Sequence, residues 1–272
     1  MLYCAINGKQ TTNIHCLDRG LAYGDGVFTT AKIINGNIVQ LKEHLERLRQ
    51  SCHKLFLKFP DINQLNQQLI VQAKAYNLAV LKVIITAGVG GRGYSRKGVS
   101  SPHCIVCIFD YPQHYLQWQK QGICLVDATF QLGINPALSG IKHLNRLEQV
   151  LLRQELDQQS ADDLLVTDIN QFVVETSCAN IFWQKGNTWQ TPKITFSGIA
   201  GLLRADIMRK NTIEEVSITR DDFHSSLKQI NAMFICNSVM GIVPVKVYNR
   251  HHLSIDPVNQ YCQQFNEREL SL

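Results

Sequence analysis

Gly140-Ile141-Lys142-His143-Leu144-Asn145-Arg146-Leu147-Glu148 is the stretch on which the reading of this chain turns. It sets a lysine at the mouth of an expected helix over 143–157, whose apolar positions Leu144, Leu147, Val150, Leu151 and Leu156 recur on one side. Thirty-three residues after Lys142, Glu175 closes an apolar run in Phe172-Val173-Val174-Glu175-Thr176-Ser177. A carboxylate in such a wall must be paired or carry a desolvation cost. A lysine amine attacks an aldehyde only when neutral, and partial burial beside cations favours that state. The two residues therefore suit a covalent carbonyl adduct and a protonated ring nitrogen, respectively. A lone lysine before a helix is usually solvated; its neighbours decide between the two readings.

Working outward, 272 residues at 45% hydrophobic and 18% charged suffice for a full core in one large or two smaller domains. The net charge of +5 is modest and its basic residues are scattered. That disfavours nucleic acid and suits an anionic small molecule. Nine cysteines without a signal peptide point to free thiols in a reducing cytoplasm. No apolar run reaches the roughly 18 residues of a membrane span.

Asn7-Gly8 and Asn35-Gly36 read as hairpin turns, and Leu45, Leu48, Cys52 and Leu55 step as an amphipathic helix over 42–55. A second helix is expected over 62–76, and strands over 81–86 and 104–109 flank a glycine-rich loop. Pro112 marks the expected boundary between an N-terminal lobe, 1–112, and a C-terminal lobe, 113–272, carrying Lys142. Further hairpins are expected over 164–176, 180–191 and 232–247, with a turn into a helix over 198–208. The fold class is α/β (α+β): two lobes with much antiparallel sheet and, by default, a ligand cleft between them.

Several ordered motifs share one resemblance. Asp18-Arg19-Gly20-Leu21-Ala22-Tyr23-Gly24-Asp25-Gly26-Val27-Phe28-Thr29-Thr30, His44-Leu45-Glu46-Arg47-Leu48, Gly91-Arg92-Gly93-Tyr94-Ser95, residues 141–150 and 175–183, and Ser197-Gly198-Ile199-Ala200-Gly201 cover nearly the whole chain. Together they resemble the fold-type IV pyridoxal phosphate enzymes, the group of D-amino-acid and branched-chain aminotransferases. Paired threonines at 29–30, where aminotransferases of the group commonly carry Gly-Val-Phe/Tyr-Glu, are closer to its lyase branch. That branch converts aminodeoxychorismate to 4-aminobenzoate and pyruvate in folate synthesis. The alternative is a D-amino-acid or branched-chain aminotransferase. The resemblance also implies a homodimer.

It implies the following roles. Lys142 forms the Schiff base with pyridoxal 5'-phosphate and serves as general base. Glu175 contacts the pyridine nitrogen. Arg47 binds the phosphate through its guanidinium fork. The amides of Ile199 and Ala200, ahead of a helix, and the Ser238 cluster in Asn237-Ser238-Val239 add anion donors. Thr29 and Thr30 face opposite sides of a strand, so one of them reaches the cofactor; Thr30 is the choice, although both also suit plain β-propensity. Arg92, on its glycine loop, suits a substrate carboxylate in its own or a partner subunit. Proton donation to the departing pyruvate falls to Lys142 or Thr30.

Two motifs are decoys. Gly88-Val89-Gly90-Gly91-Arg92-Gly93 matches G-x-G-x-x-G, but no helix is expected after it, so it is not a dinucleotide fingerprint. Cys104-Ile105-Val106-Cys107 places its sulfurs on opposite faces of a strand, and His251-His252 lies in an expected polar loop without ligand company. No metal is assigned.

Overall fold

Asn7 and Gly8, at φ +49° and +79°, turn the first hairpin between strands β1 (Tyr3–Ile6) and β2 (Lys9–Gln10). The computed structural model describes residues 1–99 and 101–270, and for 264–270 the backbone alone. The chain divides into two compact units, Met1–Pro112 with Ile141–Arg146, and Gln113–Gly140 with Leu147–Leu272.

The first unit continues with α1 (Arg19–Tyr23), β3 (Gly26–Ile34), β4 (Asn37–Ile38), α2 (Leu41–Lys54), α3 (Ile62–Ala73), β5 (Leu78–Thr86) and β6 (His103–Asp110). Its six strands run in the order β2-β1-β6-β5-β3-β4, all antiparallel. Val27, Ala31 and Ile33 alternate along β3 and pack with Leu81, Val83 and Ile85 of β5 against Leu45, Leu48 and Cys52 of α2 and Leu65 and Leu69 of α3. Each buried Val, Leu or Ile among them contributes about 1.5–3 kcal/mol. The opposite face carries Phe28, Thr30 and Lys32 of β3, Val80, Lys82 and Ile84 of β5, and Ile105, Cys107 and Phe109 of β6. Cys104 lies in the core while Cys107 meets Cys4 on that other face, sulfur to sulfur at 3.6 Å.

The second unit contains α4 (His114–Gln121), β7 (Ile123–Asp127), α5 (Leu147–Leu156), β8 (Asp163–Thr167), β9 (Val173–Thr176), β10 (Asn180–Lys185), β11 (Thr188–Pro192), α6 (Leu202–Lys210), β12 (Ile213–Val216), α7 (Arg220–Ser226), β13 (Ile230–Asn237), β14 (Gly241–Tyr248), β15 (His251–His252) and α8 (Asp256–Leu270). Its sheet order is β12-β11-β10-β13-β14-β7-β8-β9, with β15 on β14. The pairs β14·β7, β7·β8 and β11·β12 are parallel, the others antiparallel. One core gathers Ile123, Leu125, Trp183, Phe223, Ile235 and Val243; a second stacks Phe182 on Phe234 at 4.8 Å. Val173 belongs to the first of these and Val174 to a third cluster with Leu152, Leu156, Leu164 and Val166.

Three expectations differ from the structure. Lys142 belongs with the first unit, not with 113–272, because backbone bonds tie residues 142–144 to β3. For the same reason α5 begins at Leu147 rather than 143. Its buried side is Leu152 and Leu156, while Leu147, Val150 and Leu151 are exposed. His251-His252 is a short strand, since β14 supplies an edge for it.

Candidate active site

In the first unit, the lysine segment is an added strand on the free edge of β3. Phe28 N–H donates to Lys142 O at 2.9 Å, Leu144 N–H donates to Gly26 O at 3.0 Å, and Val27 and His143 form a bridge. Gly26 permits this approach: a Cβ there would stand 2.4 Å from Ile85 O and 2.6 Å from Leu144 Cδ1. Phe28 and Lys142 face each other across the two strands, and the lysine Nζ lies 4.6 Å from the centre of the Phe28 ring. Thr30 follows two residues on, on the same half-buried face.

Thr29 points the other way and is 1% exposed. Its hydroxyl accepts from Arg47 Nη2 and lies 2.6 Å from His44 Nδ1. Arg47 is an obligate donor, so the hydroxyl hydrogen is left for His44 Nδ1 and the ring proton stands on Nε2. Burial and the Arg47 charge drive the His44 pKa down to about 3, so the ring is neutral. Burial alone brings Arg47 down to about 10, so it stays charged. His44 Nε2 and Arg47 Nε are both buried without a hydrogen-bond partner among the described residues. One cation with two unsatisfied buried donors is a site short of an anion, and a phosphate group fits it.

The glycine loop is held by a residue that sequence spacing did not single out. Arg19, 3% exposed, donates to Asp25 Oδ2 at 2.8 Å and to the carbonyls of Gly93 and Tyr94 at 2.9 Å each. Gly93 N–H donates to Tyr23 Oη at 2.9 Å. Arg96 closes on the same Asp25. Burial raises the Asp25 carboxyl, but Arg96 and then Arg19 more than offset it and hold it below the usual carboxylate range. Arg92 itself is exposed at the rim of this pinned loop. Among the described residues, no helix stands between the loop and β6.

In the second unit, Glu175 sits on β9 and is 4% exposed. Its Oε2 accepts the Ile199 N–H at 2.9 Å. The loop Gly198-Ile199-Ala200 is fixed from three sides. Gly140 N–H donates to Gly198 O at 3.0 Å, Ala200 N–H donates to Gly140 O at 3.3 Å, and Asn180 Nδ2 donates to Ile199 O at 2.9 Å. Gly198 has φ +84°, and a Cβ there would stand 2.6 Å from Val174 Cγ1. The expectation that Ile199 and Ala200 offer open amides is therefore revised. The first holds Glu175, and the second has a long bond to Gly140. Ser238 is half-buried after β13, in a turn where Asn237 Oδ1 accepts from Val239 N–H and Met240 N–H at 2.9 Å each. Asp163, fully buried on β8, braces the end of the Glu175 strand by accepting from the Ser177 amide and hydroxyl and from Leu164 N–H. Burial raises its pKa against those bonds. Nothing in the sequence distinguished it from a solvated aspartate.

Residues 26–248 match the amino-transferase class IV family. The chain is 34% identical to an aminodeoxychorismate lyase of Vibrio harveyi over 252 residues, 92% of this chain and 93% of that one. Among solved structures, a 4-amino-4-deoxychorismate lyase from Pseudomonas aeruginosa superposes with a TM-score of 0.89 at 30% identity, covering 99% of this chain and all of that one (100%). A branched-chain amino acid aminotransferase from Escherichia coli shares the fold, with a TM-score of 0.85 at 20% identity over 96% of this chain and 92% of that one.

Proposed function

The chain belongs to the amino-transferase class IV family, and from that membership we propose that it is a pyridoxal phosphate-dependent lyase converting 4-amino-4-deoxychorismate to 4-aminobenzoate and pyruvate, a step of folate biosynthesis. The observation that carries the reading is the 34% identity to a lyase of that name over nearly the full length of both chains. The paired threonines at the Thr29-Thr30 position agree with it.

Pyridoxal phosphate, when bound, supplies an electron-withdrawing ring and a carbonyl for amines. The unsatisfied donors on His44 and Arg47 are proposed to hold its phosphate; the resemblance adds Ser238, and Ala200 only on giving up its long bond to Gly140. Glu175, oriented by Ile199, is proposed to accept the ring N–H and keep that nitrogen protonated. Lys142 would hold the cofactor through its carbonyl; once the substrate amine has taken that place, the freed Nζ would take the proton from the substrate carbon that bears the amine. The C–O bond on the adjacent carbon breaks, and the enolpyruvyl oxygen leaves. Protonated, the departing group becomes pyruvate, with Lys142 or Thr30 as the donor. Loss of that proton and that oxygen leaves an aromatic ring, so the chain's own contribution is positioning and proton transfer. Arg92 is proposed to meet the enolpyruvyl carboxylate.

We place the enzyme in the cytoplasm as a homodimer. All nine cysteines are free thiols, as in a reducing compartment. Exposed Leu147, Val150 and Leu151 on α5 supply apolar surface for a second copy. The test of function is incubation of the cofactor-loaded protein with aminodeoxychorismate and no keto acid. Equimolar 4-aminobenzoate and pyruvate are expected. No 4-aminobenzoate, together with amino transfer from D-alanine or a branched-chain amino acid to a keto acid, overturns the lyase reading in favour of the aminotransferase one.

A further inference from the structure

Cys4 on β1 and Cys107 on β6 are direct partners in the antiparallel ladder, with their sulfurs 3.6 Å apart. The backbone of Cys4 is turned to its other neighbour: its carbonyl accepts the Thr11 N–H of the β2 side at 3.2 Å. Asn7 N–H, three residues on, donates to Cys104 O at 2.8 Å. Hydrogen-bonded and free pairs alternate along such a ladder, so Cys4 and Cys107 form one of the free pairs. Free pairs bring their Cα atoms to about 4.5 Å, inside the range that a disulfide spans, with both side chains on one face. The two thiols are not equivalent. Cys4 is half-buried, whereas Cys107 is 8% exposed and donates its S–H to the Cys4 sulfur. That bond favours negative charge on Cys4, the sulfur that a water-borne oxidant meets first. Burial, joined by the Cys4 contact, pushes the Cys107 thiol up to about 11 despite Lys82 opposite it on β5. A thiol that resists ionisation is a poor leaving group, so a bond made here is slow to be displaced. The buried thiols of Cys52, Cys104 and Cys236 lie inside hydrophobic clusters, away from such an oxidant.

We propose that Cys4 and Cys107 are a redox modification site, closed to a cross-strand disulfide by a hydroperoxide and reopened by a small dithiol. The Cys4 thiolate attacks a peroxide oxygen and the O–O bond breaks. Hydroxide leaves, takes up the proton that Cys4 gave up and becomes water, while Cys4 becomes a sulfenic acid. The Cys107 sulfur then attacks the Cys4 sulfur. The S–O bond breaks, and the released hydroxide carries off the Cys107 proton as a second water. Two thiols thus give up two electrons and two protons, and one hydrogen peroxide is reduced to two waters. Reopening is thiol–disulfide exchange, from which the dithiol leaves as its own disulfide. The bond closes a loop of about a hundred residues, so it constrains the unfolded chain strongly and staples β1 to β6 under oxidising conditions. It also spares Cys4 from passing beyond the sulfenic acid to forms that thiols do not reverse.

The test treats the cofactor-loaded full chain with hydrogen peroxide and then caps the remaining thiols with N-ethylmaleimide. Two fewer thiols are capped than in the untreated protein, and the non-reduced peptide map joins the Cys4 peptide to the Cys107 peptide. Dithiothreitol restores both thiols. The oxidised protein melts about 5 °C or more above the reduced one. In Cys107→Ala, Cys4 takes up oxygen instead, and peroxide no longer raises the melting temperature. A link between other cysteines or between two chains overturns the proposal. So does oxygen uptake at Cys4 of the wild type without a link, or an oxidised form that melts with the reduced one. The wild-type comparison stands by itself even if Cys107→Ala does not fold. None of these readouts depends on the substrate, so their failure leaves the lyase reading untouched.

Discussion

Glu175 Oε2 accepts the backbone N–H of Ile199 at 2.9 Å, so the carboxylate proposed to govern the cofactor ring is aimed by the loop that follows Gly198. The carboxylate and its orienting amide lie within one compact unit, on segments separated by the β10–β11 hairpin.

Replacing Glu175 by Gln separates charge from orientation. The amide oxygen still accepts from Ile199, so the melting temperature stays close to that of the parent protein. The charge that keeps a ring nitrogen protonated is gone, and kcat falls by about a hundredfold or more. Glu175→Leu removes the acceptor as well and leaves a buried N–H unsatisfied, costing about 1–3 kcal/mol of stability. Thermal denaturation and steady-state kinetics on both variants decide the matter: equal kinetics in wild type and Gln would remove Glu175 from the chemistry.

Thr29 stands between His44 and Arg47, and its hydroxyl fixes both. Thr29→Val keeps shape and burial but leaves the Arg47 and His44 nitrogens less defined. Cofactor affinity, measured by absorbance titration of the apoprotein, is expected to fall about tenfold, and Arg47→Met further, with the loss of the whole charged contact. An Arg47→Met protein that binds pyridoxal phosphate as well as wild type would dissolve the phosphate assignment.

Much of this was legible from local pattern. Asn7-Gly8, Asn35-Gly36 and the step of Leu45, Leu48 and Cys52 are short-range signals, and the corresponding hairpins and α2 follow them closely. Glu175 in its apolar strand was visible because a carboxylate interrupts a buried run. What stayed hidden depends on partners distant in the chain. Arg19 caps carbonyls more than seventy residues away, Asp163 braces a strand across the sheet, and the Ile199 amide is consumed by Glu175. The start of α5 was misplaced because residues 142–144 pair with β3, and helical periodicity carries no trace of that competing use of the backbone. On the buried side of α5, Leu156 stands as expected, but Leu152 faces the core in place of Leu147, Val150 and Leu151.

His44 also sets an acid limit on the first unit. Its folded pKa is about 3, against an ordinary value of 6.5 when exposed. Between those values the unfolded chain binds a proton that the folded chain does not, so stability rises with pH across that window. The contribution is complete above about pH 6.5 and is lost as pH falls toward 3, at about 1.4 kcal/mol per pH unit for one proton. His44→Gln, which cannot titrate, is expected to flatten the pH dependence of denaturant unfolding by up to one proton between pH 6.5 and 4. The same slope in variant and parent would show that His44 is not the titrating group.

Arg19 is the residue whose loss should unfasten the glycine loop without touching the reacting atoms. Its guanidinium is divided between a carboxylate, Asp25, and the carbonyls of Gly93 and Tyr94. Arg19→Met leaves Asp25 to Arg96 alone and strips those carbonyls of their donor, at a cost on the order of 3 kcal/mol, toward the lower end for a broken buried pair because one cation remains. Arg19→Lys keeps the charge but cannot span both partners, and is expected to fall between the two. Because Arg92 rides on that loop, the KM for aminodeoxychorismate should rise more than kcat drops, and limited proteolysis should cut at 93–95 sooner than in the parent. If the methionine variant resists cleavage and melts like wild type, the loop is held by Tyr23 and Arg96 instead, and Arg19 is dispensable to it.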